Sequence, residues 1–460
     1  MSLASALQNA LTGLQVNQRA LALTSANVTN ANSPDYHRRT LQRASIPQPL
    51  GGVQTTEVTR IVNDNLRKDV DQMTSDLGTF AAQDDYLSRL KDFFGISSGT
   101  TALSSSLSRF SDSWRVYESA PESAAASRDV ISLGKNFTQN LRDLSAGIES
   151  MDADIRLETE RTVATLNDHL SQFNELNMSI VRARALGEDV QGLEDQREAA
   201  VRDIAKLTDV RSFMNPNGRL SLFTSSGMML VDTTAVTFAY DGMDITISGQ
   251  PGSVNAFIRG GRIAGLLALR ADSSPANPDS DPGTEVIRKL RDQLEALAAE
   301  FLSVGAGSFG NAYNSAATQA GELAAGFFTG TGRFDLAVNA NLLNGSMALK
   351  QAAARPAGDA MADQNRTFIA GGLSLTGVSY AGMAQNIIGA LGDDATRVAD
   401  RHDNTQSVLD ATSQRYQSVV GVNMDEELAN MQLLQNAYAA SARILSVVDN
   451  LYQELLAIGR

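Results

Sequence analysis

The chain opens with the helical stretch Leu3-Ala-Ser-Ala-Leu7-Gln-Asn-Ala10-Leu-Thr-Gly-Leu14-Gln-Val-Asn17-Gln-Arg-Ala-Leu21-Ala-Leu-Thr24-Ser-Ala-Asn-Val28. Its seam positions alternate between spacings of four and three: Leu3, Leu7, Ala10, Leu14, Asn17, Leu21, Thr24 and Val28. The other end repeats the pattern in Leu434, Tyr438, Ser441, Leu445, Val448, Tyr452 and Leu455. Such an alternation averages about 3.5 residues per turn and predicts a helix whose narrow seam needs a partner helix. The simplest available partner for each seam is the seam at the other end of the same chain.

A turn signal follows the first seam directly. It reads Asn27-Val-Thr-Asn30-Ala-Asn32-Ser-Pro34-Asp35-Tyr36-His-Arg38-Arg39. Asn tolerates left-handed backbone and bonds its own main chain, and Pro cannot continue a helix. The sequence therefore predicts a helix, a stop and then an extended segment.

The residues Ala4 through Arg39 resemble the N-terminal signature of flagellar axial proteins. The shared features are a small-residue helix with Gly13-Leu14, the Asn-rich stretch and a tight turn before basic residues. The chain departs from that signature at Ser33, where Thr is common, and at Asp35, where Gly is common.

The C-terminal segment is similar to the tail of the hook-associated protein 1 family, the first junction proteins between flagellar hook and filament. The motifs are Gly421-Val-Asn-Met-Asp-Glu426-Glu427-Leu-Ala-Asn430 and Gln435-Asn-Ala-Tyr438-Ala-Ala-Ser-Ala-Arg443-Ile. Interior segments also resemble this family, so the resemblance spans nearly the whole chain. These segments are Pro121 with Arg128-Asp-Val, Gly192-Leu-Glu-Asp-Gln-Arg197-Glu, Gly260-Gly-Arg-Ile-Ala-Gly265-Leu-Leu and Phe327-Phe-Thr-Gly330.

The composition is that of a globular protein: 460 residues, 43% of them hydrophobic and 20% charged. A net charge of −14 argues against a nucleic-acid partner, because phosphate binding needs clustered Lys and Arg. No apolar run reaches the roughly 18 residues of a membrane span, and we expect neither a span nor a Sec-type leader. Because Cys is absent, disulfides, thiolate metal sites and thiol catalysis are excluded.

The periodicity along the chain predicts a mainly α, α+β fold with nested, elongated domains. Asp64 to Leu207 is helical with a break at Gly187, and the period changes to two at Val210, with Asp241-Gly242 as a hairpin turn. The stripe that begins at Ile287 and the stretch from Gln385 to Val420 are helical again, and 334–376 is a mixture of strands and short helices. Both termini pair as a coiled coil around a long-helix bundle and a small antiparallel β domain.

We therefore expect three domains, each built from separated segments. Residues 1–45 and 415–460 form the terminal axial coiled coil. Residues 46–208, 284–320 and 380–414 form the helical body, and residues 209–283 and 321–379 form a β-rich outer domain.

Catalytic and metal-binding patterns are not evident in the sequence. The three histidines, His37, His169 and His402, share no ligand spacing, so we expect no metal and no cofactor. Trp114 is interpreted as a packing residue of the bundle. The runs from Arg197 to Asp203 and from Arg288 to Asp292 are interpreted as solvated faces of mixed charge.

These patterns favour a structural subunit without enzymatic activity, and the family resemblance makes it a junction adaptor of the bacterial flagellum. The expected axial assembly interface consists of Leu3, Leu7, Leu14, Leu21, Val28, Asn27, Asn30, Asn32, Pro34, Tyr36, Leu434, Tyr438, Leu445, Val448, Tyr452 and Leu455. An ordinary intramolecular two-helix coil is the alternative interpretation of the seams.

The resemblance implies the partners and the location. The partners are the flagellar hook protein, the second hook–filament junction protein, other copies of this chain and a cytoplasmic export chaperone. The location is the extracellular flagellum, reached through the flagellar type III exporter. A hook or rod subunit and, in another class, a secreted helical effector or adhesin remain alternatives.

Overall fold

Long helices form most of the protein in the computed structural model, which describes residues 3–33, 35–45, 53–96, 102–270 and 283–458. The two ends of the chain form α1 (Leu3–Thr29) and α12 (Met424–Ile458), which pack against each other along their length. The predicted pairing of the termini is therefore confirmed within the monomer. An antiparallel hairpin, β1 (Arg39–Ser45) and β2 (Val53–Arg60), joins α1 to the body.

The helices of the body begin and end at residues with clear capping roles. Its first part contains α2 (Asp64–Phe93), α3 (Ala102–Ser119), α4 (Ala124–Leu186) and α5 (Gln191–Leu207). The Asn63 side chain accepts from the Leu66 amide at the start of α2, and Ser123 does the same for Ala126 at the start of α4. Gly187 ends α4 with φ of 74°, a left-handed conformation that favours glycine. The break predicted at Gly187 is confirmed.

Short strands follow α5 and form the first β-rich segment. The three-stranded antiparallel sheet contains β3 (Arg211–Met214), β4 (Leu220–Phe223) and β5 (Met229–Val231), and a second hairpin contains β6 (Phe238–Tyr240) and β7 (Ile245–Ile247). The turn of that hairpin is the predicted Asp241-Gly242, with Gly242 at φ of 95°. The next helix is α6 (Gly261–Leu269). The sequence from Ala271 to Gly283 is rich in Pro and Asp and predicts an exposed connector, which lies outside the described residues up to position 282.

The remaining elements run back towards the C-terminus. They are α7 (Val286–Leu302), α8 (Phe309–Asn314), β8 (Phe328–Thr329), β9 (Ala337–Val338), α9 (Ala340–Leu343), α10 (Ala354–Ala362), β10 (Arg366–Ala370), β11 (Leu373–Val378) and α11 (Tyr380–Val420). The stripe predicted on α7 is confirmed, because Ile287, Leu290, Leu294, Leu297 and Phe301 are all buried. Residues 334–376 are a mixture of strands and short helices, as expected.

Two hydrophobic cores lie along α4, which at 63 residues spans about 95 Å. Its first half packs with α2, α3, α7 and α11 in core one, where Trp114 is fully buried against Phe110, Phe309 and Phe327. Its second half packs with α5, α6 and the strands β4–β7 in core two. Trp114 is therefore a packing residue, as interpreted from the sequence.

The β-rich segments pack in different cores. Residues 209–267 supply the strands of core two, whereas Phe327, Phe328, Leu336 and Val338 belong to core one. Phe327 and Phe328 pack at tilted or edge-to-face angles against the aromatic side chains of α3 and α8. The three-domain division expected from the sequence stays a prediction.

Helix packing in the body depends on close approach at Gly265 of α6. A Cβ atom there would lie 2.3 Å from the carbonyl oxygen of Thr79 in α2, so the two helices would have to separate. We predict that Gly265→Ala lowers the free energy of unfolding by about 1–3 kcal/mol, measured by denaturant titration.

The matched control is Gly389→Ala in α11, where an added Cβ meets nothing within 4 Å. That substitution should raise the free energy of unfolding by about 0.5–1 kcal/mol, because alanine loses less entropy in a helix. Equal effects of the two substitutions would contradict the close packing of α2 on α6.

Candidate functional site

Small side chains of α1 form the contact with α12. Ala10, Val16, Ala20 and Thr24 are buried, and a Cβ added at Gly13 would lie 3.7 Å from the Ser441 Oγ atom. The predicted seam leucines Leu7, Leu14 and Leu21 and the seam residue Val28 are half-buried. The small seam positions Ala10 and Thr24 are therefore buried more deeply than the seam leucines, and at Gly13 the backbone of α1 comes close to α12.

The predicted seam of α12 divides between contact and exposure. Leu434, Ser441 and Leu445 are half-buried and Val448 is buried, whereas Tyr438 and Tyr452 are 38% and 39% exposed. The side chains of Leu3 and Leu455, and the whole of Pro34, lie outside the described residues.

Asn27 organises the turn after α1. Its Nδ2 atom donates to the carbonyl oxygen of Arg39 at 3.0 Å and to the Glu427 carboxylate at 3.2 Å. Its Oδ1 atom accepts from the Tyr36 hydroxyl at 2.8 Å and from the Arg39 amide at 3.2 Å. All these bonds are internal, and Asn27 is only 1% exposed. Asn27 and Tyr36 thus shape the base of the helix pair.

The other predicted turn residues lie nearer the surface. Asn30 donates to the carbonyl oxygen of Ala26, one helical turn back, and Asn32 is exposed. Asp35, where the flagellar signature commonly has Gly, pairs with Arg202 of α5.

Arg38 joins the turn to the start of α12. Its guanidinium donates to Glu427 and to Glu426, each at 2.8 Å, and its amide donates to the carbonyl oxygen of Val420 at 2.9 Å. Acidic side chains at a helix N-terminus also favour the helix dipole. The Asn423 side chain accepts from the amides of Asp425 and Glu426, so the Gly421–Glu427 motif caps α12 while binding Arg38.

An ion cluster fixes this base to the body. We call it the root cluster, and its members come from four segments of the chain: His37, Arg39, Arg60, Asp195, Glu198 and Tyr416. Arg60 of β2 donates to Asp195 and Glu198, each at 2.6 Å, and to Glu194 at 3.1 Å. All three carboxylates lie on α5. The Arg39 guanidinium adds a bond to Asp195 at 3.0 Å.

The root cluster strongly favours its charged forms. Burial raises the pKa of Glu198, but the hydrogen bond from His37 and the charge of Arg60 outweigh burial and lower that pKa to about 2. Burial likewise opposes the bonds from His37 and Arg60 that lower the pKa of Asp195. The pKa of Arg60 is raised, because its carboxylate partners outweigh its burial. Mutual neutralisation thus compensates the cost of burying these charges.

The interpretation of the run from Arg197 to Asp203 as a solvated face is wrong at its start. Arg197 is 2% and Glu198 7% exposed, and Arg197 donates to the carbonyl oxygen of Gly218 and to Asn177. Burial of this face depends on β2 and the 35–39 segment, which are distant in sequence. His37, Arg60, Asp195 and Glu198 were not predicted as site residues. The turn signal from Asn27 to Arg39 contains His37, and the Gly192–Glu198 segment contains Asp195 and Glu198, whereas no sequence signal singled out Arg60.

A second apolar surface lies beside the contact face of α12. Leu433, Ile444, Val447 and Leu451 are 67%, 51%, 57% and 41% exposed, and we call them the lateral stripe. At about 100° per residue they fall within roughly 60° of one another around the helix. The inner face of α12 meets α1, so the described residues leave this stripe open to solvent.

The described residues contain neither a metal-binding cluster nor a membrane-spanning helix. No group of three or more His, Asp or Glu side chains is arranged to hold a metal ion. None of the described helices combines the length and apolar character needed to cross a bilayer.

Comparison with known proteins points to one family. The family model of the flagellar hook-associated protein FlgK helical domain matches residues 87–328, just over half of the chain. The model of the flagellar basal body rod FlgEFG protein C-terminal region matches residues 413–458.

Individual relatives agree with the family match. Flagellar hook-associated protein 1 of Bacillus subtilis is 23% identical over 98% of this chain and 97% of its own length. The protein of the same name from Escherichia coli is 20% identical over 99% of this chain and 100% of its own length. A solved structure, the flagellar hook junction protein FlgK from Burkholderia pseudomallei, is 18% identical with a TM-score of 0.47 and covers 57% of this chain and 46% of its own.

The root cluster predicts a large effect of removing its central cation. Arg60→Met leaves three buried carboxylates of α5 without their main partner, so we expect a loss of about 3–5 kcal/mol in the free energy of unfolding, measured by denaturant titration. The control is Arg115→Met, which removes an exposed arginine paired with Asp112. It should change the free energy of unfolding by less than about 0.5 kcal/mol. Similar small effects at both positions would show that the root cluster contributes little to stability.

Proposed function

The chain belongs to the family of the flagellar hook-associated protein FlgK, and we propose that it is a structural junction subunit joined to its neighbours in the flagellar axis through its terminal helix pair. Its relatives from Bacillus subtilis and Escherichia coli are flagellar hook-associated proteins, which supports a position at the hook. The Gly421–Glu427 motif resembles that of the first hook–filament junction proteins and supports a position between hook and filament. The match of residues 413–458 to a rod-protein C-terminal region supports a mode of assembly common to axial proteins.

The exposed lateral stripe is the observation that supports this proposal. In the monomer, the inner face of α12 is already covered by α1. The four exposed aliphatic side chains of the lateral stripe therefore add no stability to the monomer. Contiguous exposed apolar surface of this kind marks an interaction site. Full burial of each such side chain stabilises a complex by about 1.5–3 kcal/mol.

The proposed contact is heterologous, meaning that different surfaces of neighbouring subunits meet. Such contacts do not need to close on themselves and therefore generate tubes with helical symmetry. Tyr438 and Tyr452, exposed on the same helix, extend the surface available to neighbours. The other predicted interface residues, among them Leu7, Leu14 and Leu445, act by holding the two helices together so that the stripe is presented on a rigid pair.

Four further features belong to the proposal: the partners and the location follow the family resemblance, and the domain division and the absence of catalysis follow the patterns in the sequence. The hook protein lies on one side and the second junction protein on the other, while an export chaperone holds the chain before secretion through the flagellar exporter. The three-domain division places the helical body and the β-rich domain outside the axial coiled coil. The subunit acts by structure and catalyses no reaction. Its site is the extracellular flagellum.

The lateral stripe and the inner face of α12 can be separated by substitution. We predict that Val447→Asp leaves the monomer folded, since Val447 is exposed, yet prevents incorporation into the flagellum. A buried, unpaired carboxylate costs several kcal/mol in the assembled state only. The measurements are circular dichroism of the purified monomer and motility of a deletion strain carrying the variant.

The matched control is Ser446→Asp, which adds the same charge to the neighbouring polar face of α12 and should restore motility. Leu445→Asp, by contrast, should weaken the pairing of α12 with α1 already in the monomer. Full motility with Val447→Asp would mean that the lateral stripe is not an assembly surface.

A deletion strain distinguishes the junction role from that of a rod or hook subunit. Without a junction adaptor, hooks should be complete, because they form before it is needed, and filament protein should be lost to the medium. Electron microscopy and an assay of secreted filament protein measure both outcomes. Cells without hooks would indicate a rod or hook subunit instead, and normal filaments would exclude every flagellar junction role.

A further inference from the structure

His37 lies at the point where the terminal segment meets the body, and both of its ring nitrogens have partners there. The Nδ1 atom is 2.9 Å from Asp195 of α5. The Nε2 atom is 2.7 Å from the Tyr416 hydroxyl of α11 and 3.1 Å from Glu198 of α5. The side chain is 2% exposed. One imidazole thus connects the 35–39 segment to two helices that are distant in sequence.

We propose that His37 is a proton-dependent clasp: its imidazolium form fixes the terminal helix pair to the body, and deprotonation loosens that attachment. The inference concerns the isolated chain and does not rest on the proposed junction role.

Each protonation state has a complete set of hydrogen bonds. In the neutral state, the Nδ1–H group donates to Asp195 and the Tyr416 hydroxyl donates to Nε2. In the charged state, Nε2–H donates to Glu198, and the Tyr416 hydroxyl turns towards the same carboxylate, 3.4 Å away. Rotation of one hydroxyl therefore exchanges a neutral hydrogen bond for an ion pair, and hydrogen bonds between charged groups are roughly twice as strong.

The charges that face His37 come from every element around it. Its carboxylate partners Asp195 and Glu198 favour the imidazolium, while Arg60 of β2, 3.5 Å from Nδ1, opposes it. Glu194 accepts a hydrogen bond from Arg60, and Arg39 donates one to Asp195. Beyond Glu198 and Tyr416 lie Arg202 of α5 and Arg67 of α2, whose charges lower the pKa of Tyr416 against the effect of its burial. Asp71 of α2 lies there too, and the charge of Glu198 adds to the effect of burial in raising the pKa of Asp71.

The balance of these interactions favours the charged form of His37. Burial lowers the pKa of His37, but hydrogen bonds to Asp195 and Glu198 outweigh burial, and the pKa is raised above its ordinary value of 6.5. A raised folded-state pKa contributes stability that is fully present below about pH 6.5 and is lost as pH rises through the folded-state pKa. The clasp is therefore closed on the acidic side of that pKa and loosened above it.

Asp71 titrates in a neighbouring range and has to be separated from His37. Burial raises the pKa of Asp71 to about 6, against the opposing charge of Arg67. Deprotonation of Asp71 also removes stability as pH rises, so it acts in the same direction as His37. Asp71→Asn eliminates this contribution and keeps the side-chain shape.

The first test is a direct titration of His37 by NMR in the full-length Asp71→Asn protein. The chain has three histidines, so the His37 signal is identified by its loss in His37→Gln. We expect a pKa above 6.5 and, in Glu198→Gln, a decrease of about one unit or more, because the ion pair with Nε2 is removed. A His37 pKa at or below 6.5, or no response to Glu198→Gln, would overturn the proposal.

The second test measures the attachment itself. Because the chain has no Cys, spin labels can be placed only at Gln18→Cys of α1 and Ala185→Cys of α4, both exposed positions. The distribution of label-to-label distances should be narrow at about pH 6 and broader at about pH 9. With His37→Gln, which cannot titrate, the distribution should not change with pH. The same pH-dependent broadening in His37→Gln, or none in the parent chain, would refute the clasp.

Discussion

The contact of Arg60 with three carboxylates of α5 is the interaction on which the arrangement of the two ends depends. Arg60 ends the hairpin that follows α1, and Glu194, Asp195 and Glu198 lie about 135 residues further along the chain. Around this contact, Arg38 binds the start of α12, and His37 reaches α11. Both termini are therefore anchored at one place on the body.

An apolar contact could have anchored the termini equally well in energetic terms, since replacing a buried ion network by packed hydrophobic residues is often neutral or stabilising. A charged anchor has other properties. Its geometry is directional, because guanidinium groups bind carboxylates in fixed orientations. It also responds to protonation through His37, which an apolar anchor does not. The root cluster thus sets an orientation as well as a contact.

The long helix α4 and the terminal helix pair have different structural roles. By supplying side chains to both cores, α4 holds the helical body and the β-rich segment of 209–267 in one continuous structure. The terminal pair contacts the β1–β2 hairpin and the root of the body, and it presents the lateral stripe away from α1. A rigid body with an exposed apolar helix suits a subunit that joins unlike neighbours.

The sequence by itself determined the helices, their ends and the pairing of the termini. Local interactions determine these features. Asn63 and Ser123 cap the N-termini of α2 and α4, Gly187 ends α4, and Asp241-Gly242 forms a hairpin turn. Only the tertiary structure decided how deeply each position of α1 and of the start of the Arg197–Asp203 run is buried. In α1, Ala10 and Ala20 are buried while the leucines are only half-buried, and Glu198 is buried although it stands in a charged run. Burial at these positions is set by segments far away in the chain, and periodicity along one helix carries no information about those segments.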